Sequence, residues 1–167
     1  VKGLVQGVGF RPFIYRIAHK HKLKGWVRNT NKGVSIHIEG SIGRIQGFLN
    51  EISPLAPKAA QITSVESKLV EFSSYADFQI LSSKRDADTL TEVGPDIGVC
   101  SDCIEDMKSQ AHRLNYGLTN CTNCGPRFSI IEEMPYDRSF TSMKEFEMCP
   151  ICSGEYSDIL DRRFHAQ

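Results

Sequence analysis

No cysteine occurs in the first 99 residues of this 167-residue chain. No stretch of about 18 apolar residues occurs anywhere in it, which excludes a membrane-spanning helix. No secretory signal opens the chain, and no initiator Met precedes Val1, so it reads as a trimmed piece of a longer protein. A Gly-rich loop followed by Lys-Ser or Lys-Thr is also missing, which removes that type of nucleotide cradle. Net charge is absent as well, with 20 Lys/Arg against 20 Asp/Glu. That balance hides an asymmetry: residues 1–82 hold 11 basic against 5 acidic residues, +6, and residues 83–167 hold 9 against 15, −6. A basic half suits an anionic substrate, although chance variation in surface charge gives the same count. The acidic half argues against a nucleic-acid partner.

What is present divides near residues 83–95, where Ser82-Ser83-Lys84-Arg85-Asp86-Ala87-Asp88 is polar and aperiodic and reads as a linker. The expected division is a first domain over 1–82 and a cysteine-rich region over 96–167. Val1 to Val5 reads as a strand. Pro12 suits the first turn of a helix, and Phe13, Ile14, Ile17 and Ala18 follow at helical spacing as core residues. Residues 25–29 read as a second strand and Val34, Ile36 and Ile38 as a third, entered through a turn at Asn31-Lys32-Gly33. His37 falls on the outer face of that alternation and is expected to be solvated. Ile42, Ile45, Phe48, Leu49 and Ile52 mark a second helix, ended by Pro54 and Pro57. Ile62 to Val70 is expected as a further strand, with a short edge strand at residues 78–81. The order β-α-β-β-α-β predicts a ferredoxin-like α+β sandwich.

The first strand and helix are joined by Gln6-Gly7-Val8-Gly9-Phe10-Arg11. Two glycines let the backbone curl and approach a ligand, successive N–H groups can line an anion nest, and the helix dipole points at the same place. Arg11 adds a guanidinium fork suited to phosphate or carboxylate. The bland alternative is a glycine turn beside a solvent-facing arginine.

All six cysteines form C-x-x-C pairs: Cys100/Cys103, Cys121/Cys124 and Cys149/Cys152. This spacing points two thiolates at one metal ion, and the absence of a secretion signal disfavours a disulfide framework. A cytoplasmic location follows as an expectation. Cys100-x2-Cys103-x17-Cys121-x2-Cys124 matches a closed four-cysteine structural Zn2+ site, with iron as a rarer occupant of such ligands. Cys149-Pro-Ile-Cys152 repeats Cys100-Ser-Asp-Cys103 after 49 residues, and Arg162 follows Cys152 by ten residues as Arg113 follows Cys103. Cys149 and Cys152 therefore read as half of a second site that the chain does not complete. Two alternatives stay open: pairing with Cys121 and Cys124, or recruitment of His165 and water.

Gly3-Leu4-Val5-Gln6-Gly7-Val8-Gly9-Phe10-Arg11 with Gly25-Trp26-Val27-Arg28-Asn29 resembles the acylphosphatase signature. The resemblance implies that Arg11 holds the substrate phosphoryl group and that Asn29 orients the attacking water. Asn offers the donor and acceptor this needs. An acyl phosphate's leaving group departs as an anion, so no strong general acid is required. His19 and His21 are accordingly expected at the surface. Residues 95–97, Cys121-Thr-Asn-Cys124-Gly125-Pro126-Arg127-Phe128 and Asp161-Arg162-Arg163-Phe164-His165-Ala166-Gln167 resemble the zinc-finger region of the HypF family, carbamoyltransferases of [NiFe]-hydrogenase maturation. The 17-residue spacer departs from that family by being a residue short. The resemblance implies carbamoyl phosphate as substrate, ATP used only in domains beyond this chain, and transfer to a HypE-type partner. A second reading, from another class, is a non-catalytic zinc-bearing interaction module on an acylphosphatase-like scaffold.

Overall fold

The computed structural model describes residues 1–84 and 95–166. Most of the expected linker, and Gln167, lie outside the described residues. Ser83 and Lys84, assigned to that linker by composition, instead run beside the second strand: Lys84 N–H donates to Asn29 O at 3.0 Å and Lys84 bridges Thr30.

The first module runs β1 (Lys2–Leu4), α1 (Phe10–Lys20), β2 (Lys24–Thr30), β3 (Gly33–Glu39), α2 (Ile42–Ile52), β4 (Gln61–Ser64) and β5 (Phe78–Ile80). β1 pairs antiparallel with β4, β2 pairs antiparallel with β3, and β5 adds in parallel to β2. Val1 and Val34 exchange both main-chain hydrogen bonds, at 2.8 and 2.9 Å, as a narrow antiparallel pair does. The strand order is thus β4-β1-β3-β2-β5. This is the ferredoxin-like α+β arrangement with one added edge strand.

Helices α1 and α2 form because their apolar residues recur every three or four positions and need a sheet to cover them. Phe13, Ile14, Ile17 and Ala18 of α1 and Phe48 and Ile52 of α2 are buried with Val5, Val8, Phe10, Leu23, Val27, Val34 and Phe78. Burying each large side chain contributes about 1.5–3 kcal/mol.

Three expectations are corrected. The strand expected from Ile62 to Val70 stops at Ser64, because β1 offers only three residues to pair with, and Val65, Leu69 and Val70 are left exposed. The chain returns to the sheet where Ser73 and Tyr75 N–H groups donate to the Glu39 carboxylate at 2.6 and 3.2 Å. His37 is not solvated. Its ring stacks on Trp26 at 6.0 Å and its Nε2 lies 3.0 Å from Glu39 Oε1, so the outer sheet face carries its own aromatic cluster. His19 is exposed as expected, but His21 is half-buried with Nε2 3.1 Å from Glu51.

The second module has little regular structure: α3 (Ser101–Ser109), α4 (Pro150–Ser157) and short 3₁₀ turns between them. Each helix begins inside a C-x-x-C pair, with Cys100 and Cys149 at the N-cap positions. Among the described residues no helix is long and apolar enough to cross a membrane. Phe48, 1% exposed, is a large side chain on α2 in the middle of this core. Phe48→Ala is expected to cost about 3–5 kcal/mol of stability, read as a lowered urea midpoint, because the cavity cannot fully collapse.

Candidate functional site

In the loop before α1, Gly7 and Gly9 have φ of +70° and +74°, a left-handed conformation that side-chain-bearing residues rarely adopt. Left-handed residues at alternate positions can turn successive N–H groups to one side. Among the described residues, no acceptor meets the main-chain N–H groups of Gly7, Val8, Gly9, Phe10 or Arg11. The loop sits at the positive end of α1, so a concave set of free donors results. Val8 and Phe10 anchor it by burying their side chains completely in the core. Gln6 braces it from below: its Nε2 donates to Thr30 O at 2.6 Å and Gly33 O at 3.0 Å. Gln6 is therefore a structural strut in its side chain, whatever its backbone does.

Asn29 shares the inward face of β2 with Gly25 and Val27, at the strand end where apolar packing gives way to the loop. It is fully buried, yet among the described residues its Oδ1 has no partner, while its Nδ2 donates to Tyr136 O at 3.4 Å. Arg11 is 7% exposed. Its Nη2 donates to Asp137 Oδ1 at 3.4 Å and lies 3.0 Å from His165 Nδ1, and among the described residues its buried Nη1 has no partner. An unpaired buried polar atom costs about 1–3 kcal/mol, more when charged. Of these two atoms beside the N–H groups of the loop, Arg11 Nη1 lacks an acceptor and Asn29 Oδ1 lacks a donor.

The neighbours of this loop come from the second module. A Cβ at Gly7 would lie 2.7 Å from Pro126 and 2.8 Å from the Tyr136 ring, and one at Gly9 3.0 Å from Thr122. Tyr136 N–H donates to Gln6 Oε1 at 2.9 Å. The two glycines thus admit the second module as well as a ligand, a role their spacing did not reveal. Asp137 was also missed. Burial disfavours its charge, but hydrogen bonds from His165 and Ser83 and the Arg11 guanidinium outweigh that and hold its carboxyl below the usual carboxylate range. The stability it contributes is full above the ordinary aspartate range near pH 4 and is lost as pH falls through the depressed folded value. Acid titration of the parent chain and Asp137→Asn should therefore diverge at neutral pH and converge at low pH.

The sulfurs of Cys100, Cys103, Cys121 and Cys124 all lie within 4.8 Å of one another. Cys100 and Cys121 Sγ are 3.6 Å apart, and Cys121 and Cys124 Sγ 4.0 Å. Tetrahedral zinc at about 2.3 Å from each sulfur needs separations of about 3.8 Å, so this cluster is suited to that ion. Four thiolates around a dication carry an excess of two negative charges. Arg162 and Arg163 face Cys103 at 3.2 and 3.8 Å, and Arg127 faces Cys124 at 3.4 Å, which offsets that excess. The apolar cluster of this module consists of Cys103, Cys121 and Cys124 with Val99 and Cys100 around them, too little hydrocarbon for an independent core.

Cys149 and Cys152 stand apart from this cluster. Cys149 Sγ accepts from Cys152 N–H at 3.5 Å, as an N-cap. Cys152 gathers with His112 and Glu155, but Arg113 already occupies that group, 3.4 Å from Cys152 Sγ and ion-paired with Glu155. His165, considered as a makeshift ligand, is engaged instead with Arg11 and Asp137.

Residues 1–80 match the family model described as Acylphosphatase. The acylphosphatase of Thermotoga petrophila is 43% identical over 81 residues, covering 48% of this chain and 89% of that protein. The first module is therefore an acylphosphatase-family domain. Residues 99–131 and 148–167 match the HypF finger. Carbamoyltransferase HypF of Rhodobacter capsulatus is 44% identical over 168 residues, covering all of this chain and 22% of that protein. A crystal structure of full-length HypF in a phosphate- and nucleotide-bound form superposes with a TM-score of 0.90 at 50% identity, over 99% of this chain and 22% of that one. HypF of T. kodakarensis gives 0.80 at 43% identity over 99% and 21%. The chain thus joins an acylphosphatase-family domain to a HypF finger and is similar to HypF proteins over its full length, and it spans about a fifth of the length of the HypF relatives it matches.

Replacing Cys100 and Cys103 together by Ser is expected to remove about one zinc per chain and unfold residues near α3, leaving the first module's sheet intact. Metal analysis with circular dichroism checks this. Undiminished zinc would favour the interleaved pairing of Cys121 and Cys124 with Cys149 and Cys152.

Proposed function

We propose that the first module releases phosphate from an acyl phosphate, with carbamoyl phosphate as the substrate of the whole protein. The observation that carries this reading is the pair of buried, unpartnered atoms, Arg11 Nη1 and Asn29 Oδ1, beside the free N–H groups of residues 7–11. The phosphoryl oxygens accept from those N–H groups and from Arg11, which neutralise charge where it develops. Asn29 Oδ1 accepts a hydrogen bond from a water and aims it in line with the scissile P–O bond. Water oxygen bonds to phosphorus as the bridging oxygen leaves with its electron pair on the carbamate or carboxylate. The water's proton ends on the phosphate product or in solvent, so no acidic side chain is required.

The four clustered cysteines hold a structural zinc ion in this reading, and Cys149 with Cys152 form half of a second site. The carbamate passes to ATP-dependent steps in other parts of the full-length enzyme and then to a HypE-type partner in the cytoplasm. The alternative, a non-catalytic interaction module, draws support from the contacts of Asp137 and Tyr136 with Arg11 and Asn29.

Phosphate release from acetyl or carbamoyl phosphate by the zinc-loaded chain separates the two. Arg11→Ala should abolish it. Asn29→Ala should lower kcat on the order of 10²–10³-fold, the usual cost of losing one group that acts in the transition state. Release that is unchanged in Arg11→Ala removes Arg11 from the site, and no release from the parent chain favours the scaffold.

A further inference from the structure

Arg11 belongs to the first module, but both groups that hold its Nη2 come from the second, 126 and 154 residues further along the chain. We infer that Asp137 and His165 are positioning residues for Arg11, so that the anion site is assembled across both modules. The inference rests on the reading of this loop as a phosphoryl site and names what keeps its arginine in place.

The guanidinium is divided between two tasks. Nη2 is tethered to Asp137 Oδ1 at 3.4 Å and to His165 Nδ1 at 3.0 Å, while Nη1 is buried without a partner and left for a ligand. A single neutral tether would leave a buried cation poorly compensated, and a carboxylate alone would fix only one direction. His165 Nδ1 also lies 3.3 Å from Asp137 Oδ1. Since Arg11 only donates and ionised Asp137 only accepts, Nδ1 serves one of them at a time. Nδ1 therefore either accepts from Arg11 or donates to Asp137, and in both cases the three groups stay in mutual contact.

His165 is itself held with unusual care. Its φ is +54°, a left-handed conformation that few residues other than glycine adopt. Its ring lies parallel to Tyr156 at 4.8 Å, with 5° between the planes, and Phe164 packs against it at 4.3 Å. Its main-chain N–H donates to Tyr156 O at 3.0 Å. Such a backbone conformation persists only where surrounding contacts impose it. What they impose here is the placement of one imidazole nitrogen against Arg11. Asp137 is placed in a parallel way, since Ser83 Oγ donates to its Oδ2 and leaves Oδ1 for Arg11.

Displacing a binding group by about 1 Å costs about 10²-fold in rate, so loosening Arg11 has a measurable effect without removing it. The test uses the zinc-loaded 167-residue chain with His165→Ala, His165→Asn and Asp137→Asn. Calorimetry reads inorganic phosphate binding, turnover reads KM and kcat for acetyl phosphate, and ¹⁵N-resolved NMR reads the Arg11 Nη signals. Expected are a 10- to 100-fold weaker phosphate affinity and higher KM in His165→Ala, with Arg11 signals broadened and zinc content unchanged. Asn tolerates a left-handed φ and keeps an acceptor, so His165→Asn should recover most of the loss. Asp137→Asn should broaden the Arg11 signals as His165→Ala does. Unchanged affinity, KM and Arg11 signals in His165→Ala and Asp137→Asn overturn the inference. If the parent chain binds no phosphate, the phosphoryl-site reading fails instead, while the Arg11 signals still decide whether these residues hold it.

Discussion

A guanidinium buried between two modules is the constraint around which this chain is arranged. Arg11 is carried to that place by α1, whose apolar face must lie on the sheet, so its position follows from hydrophobic packing. A buried cation then demands compensation, and among the described residues no acidic side chain of the first module pairs with it. Asp137 answers the charge on one edge, and an acceptor-rich ligand suits the other. In the proposed reading the interface and the anion site are for this reason one physical object. Gly7 and Gly9 meet Pro126, Tyr136 and Thr122 closely, and Gln6 joins the β2–β3 turn to Tyr136 N–H.

The second module solves a different problem. Around its four cysteines the buried cluster is sulfur and short side chains, with Tyr136, Met143 and Phe164 buried elsewhere, so a metal that four convergent thiolates suit would add cohesion there, as does charge. The repeat visible in the sequence has a structural counterpart here. Arg113, ten residues after Cys103, faces Cys152 and Glu155, and Arg162, ten residues after Cys152, faces Cys103 and Asp106. Each C-x-x-C helix is thus held by the arginine of the other repeat. The exchange ties α4 to the four-cysteine cluster, and α4 in turn carries Tyr156, the residue on which His165 stacks.

Local patterns were legible in the sequence and distant meetings were not. The spacing of Phe13, Ile14, Ile17 and Ala18 placed α1, and alternation placed β3, because both depend on residues within a few positions of each other. The loop at Gln6–Arg11 and the order β-α-β-β-α-β were readable for the same reason. The strand expected to run to Val70 failed because its length is set by β1, a partner some 60 residues away. His37 alternates correctly with its neighbours, but the aromatic cluster that covers it draws on Trp26 and Tyr75. Asp137 carries no local signal, and the sequence offers His165 only as a makeshift metal ligand. His165 stood inside a family-like segment, and nothing in its spacing pointed to Arg11.

In the proposed reading residues 7–11 with Arg11 and Asn29 hold a phosphoryl group. This is tested most directly by following the amide and side-chain ¹⁵N signals of the zinc-loaded chain while inorganic phosphate is added. The account predicts saturable shifts at the N–H groups of Gly7 to Arg11, at Arg11 Nη and at the Asn29 amide, all with one dissociation constant. Shifts confined to other basic surfaces, or none at these residues, would contradict it.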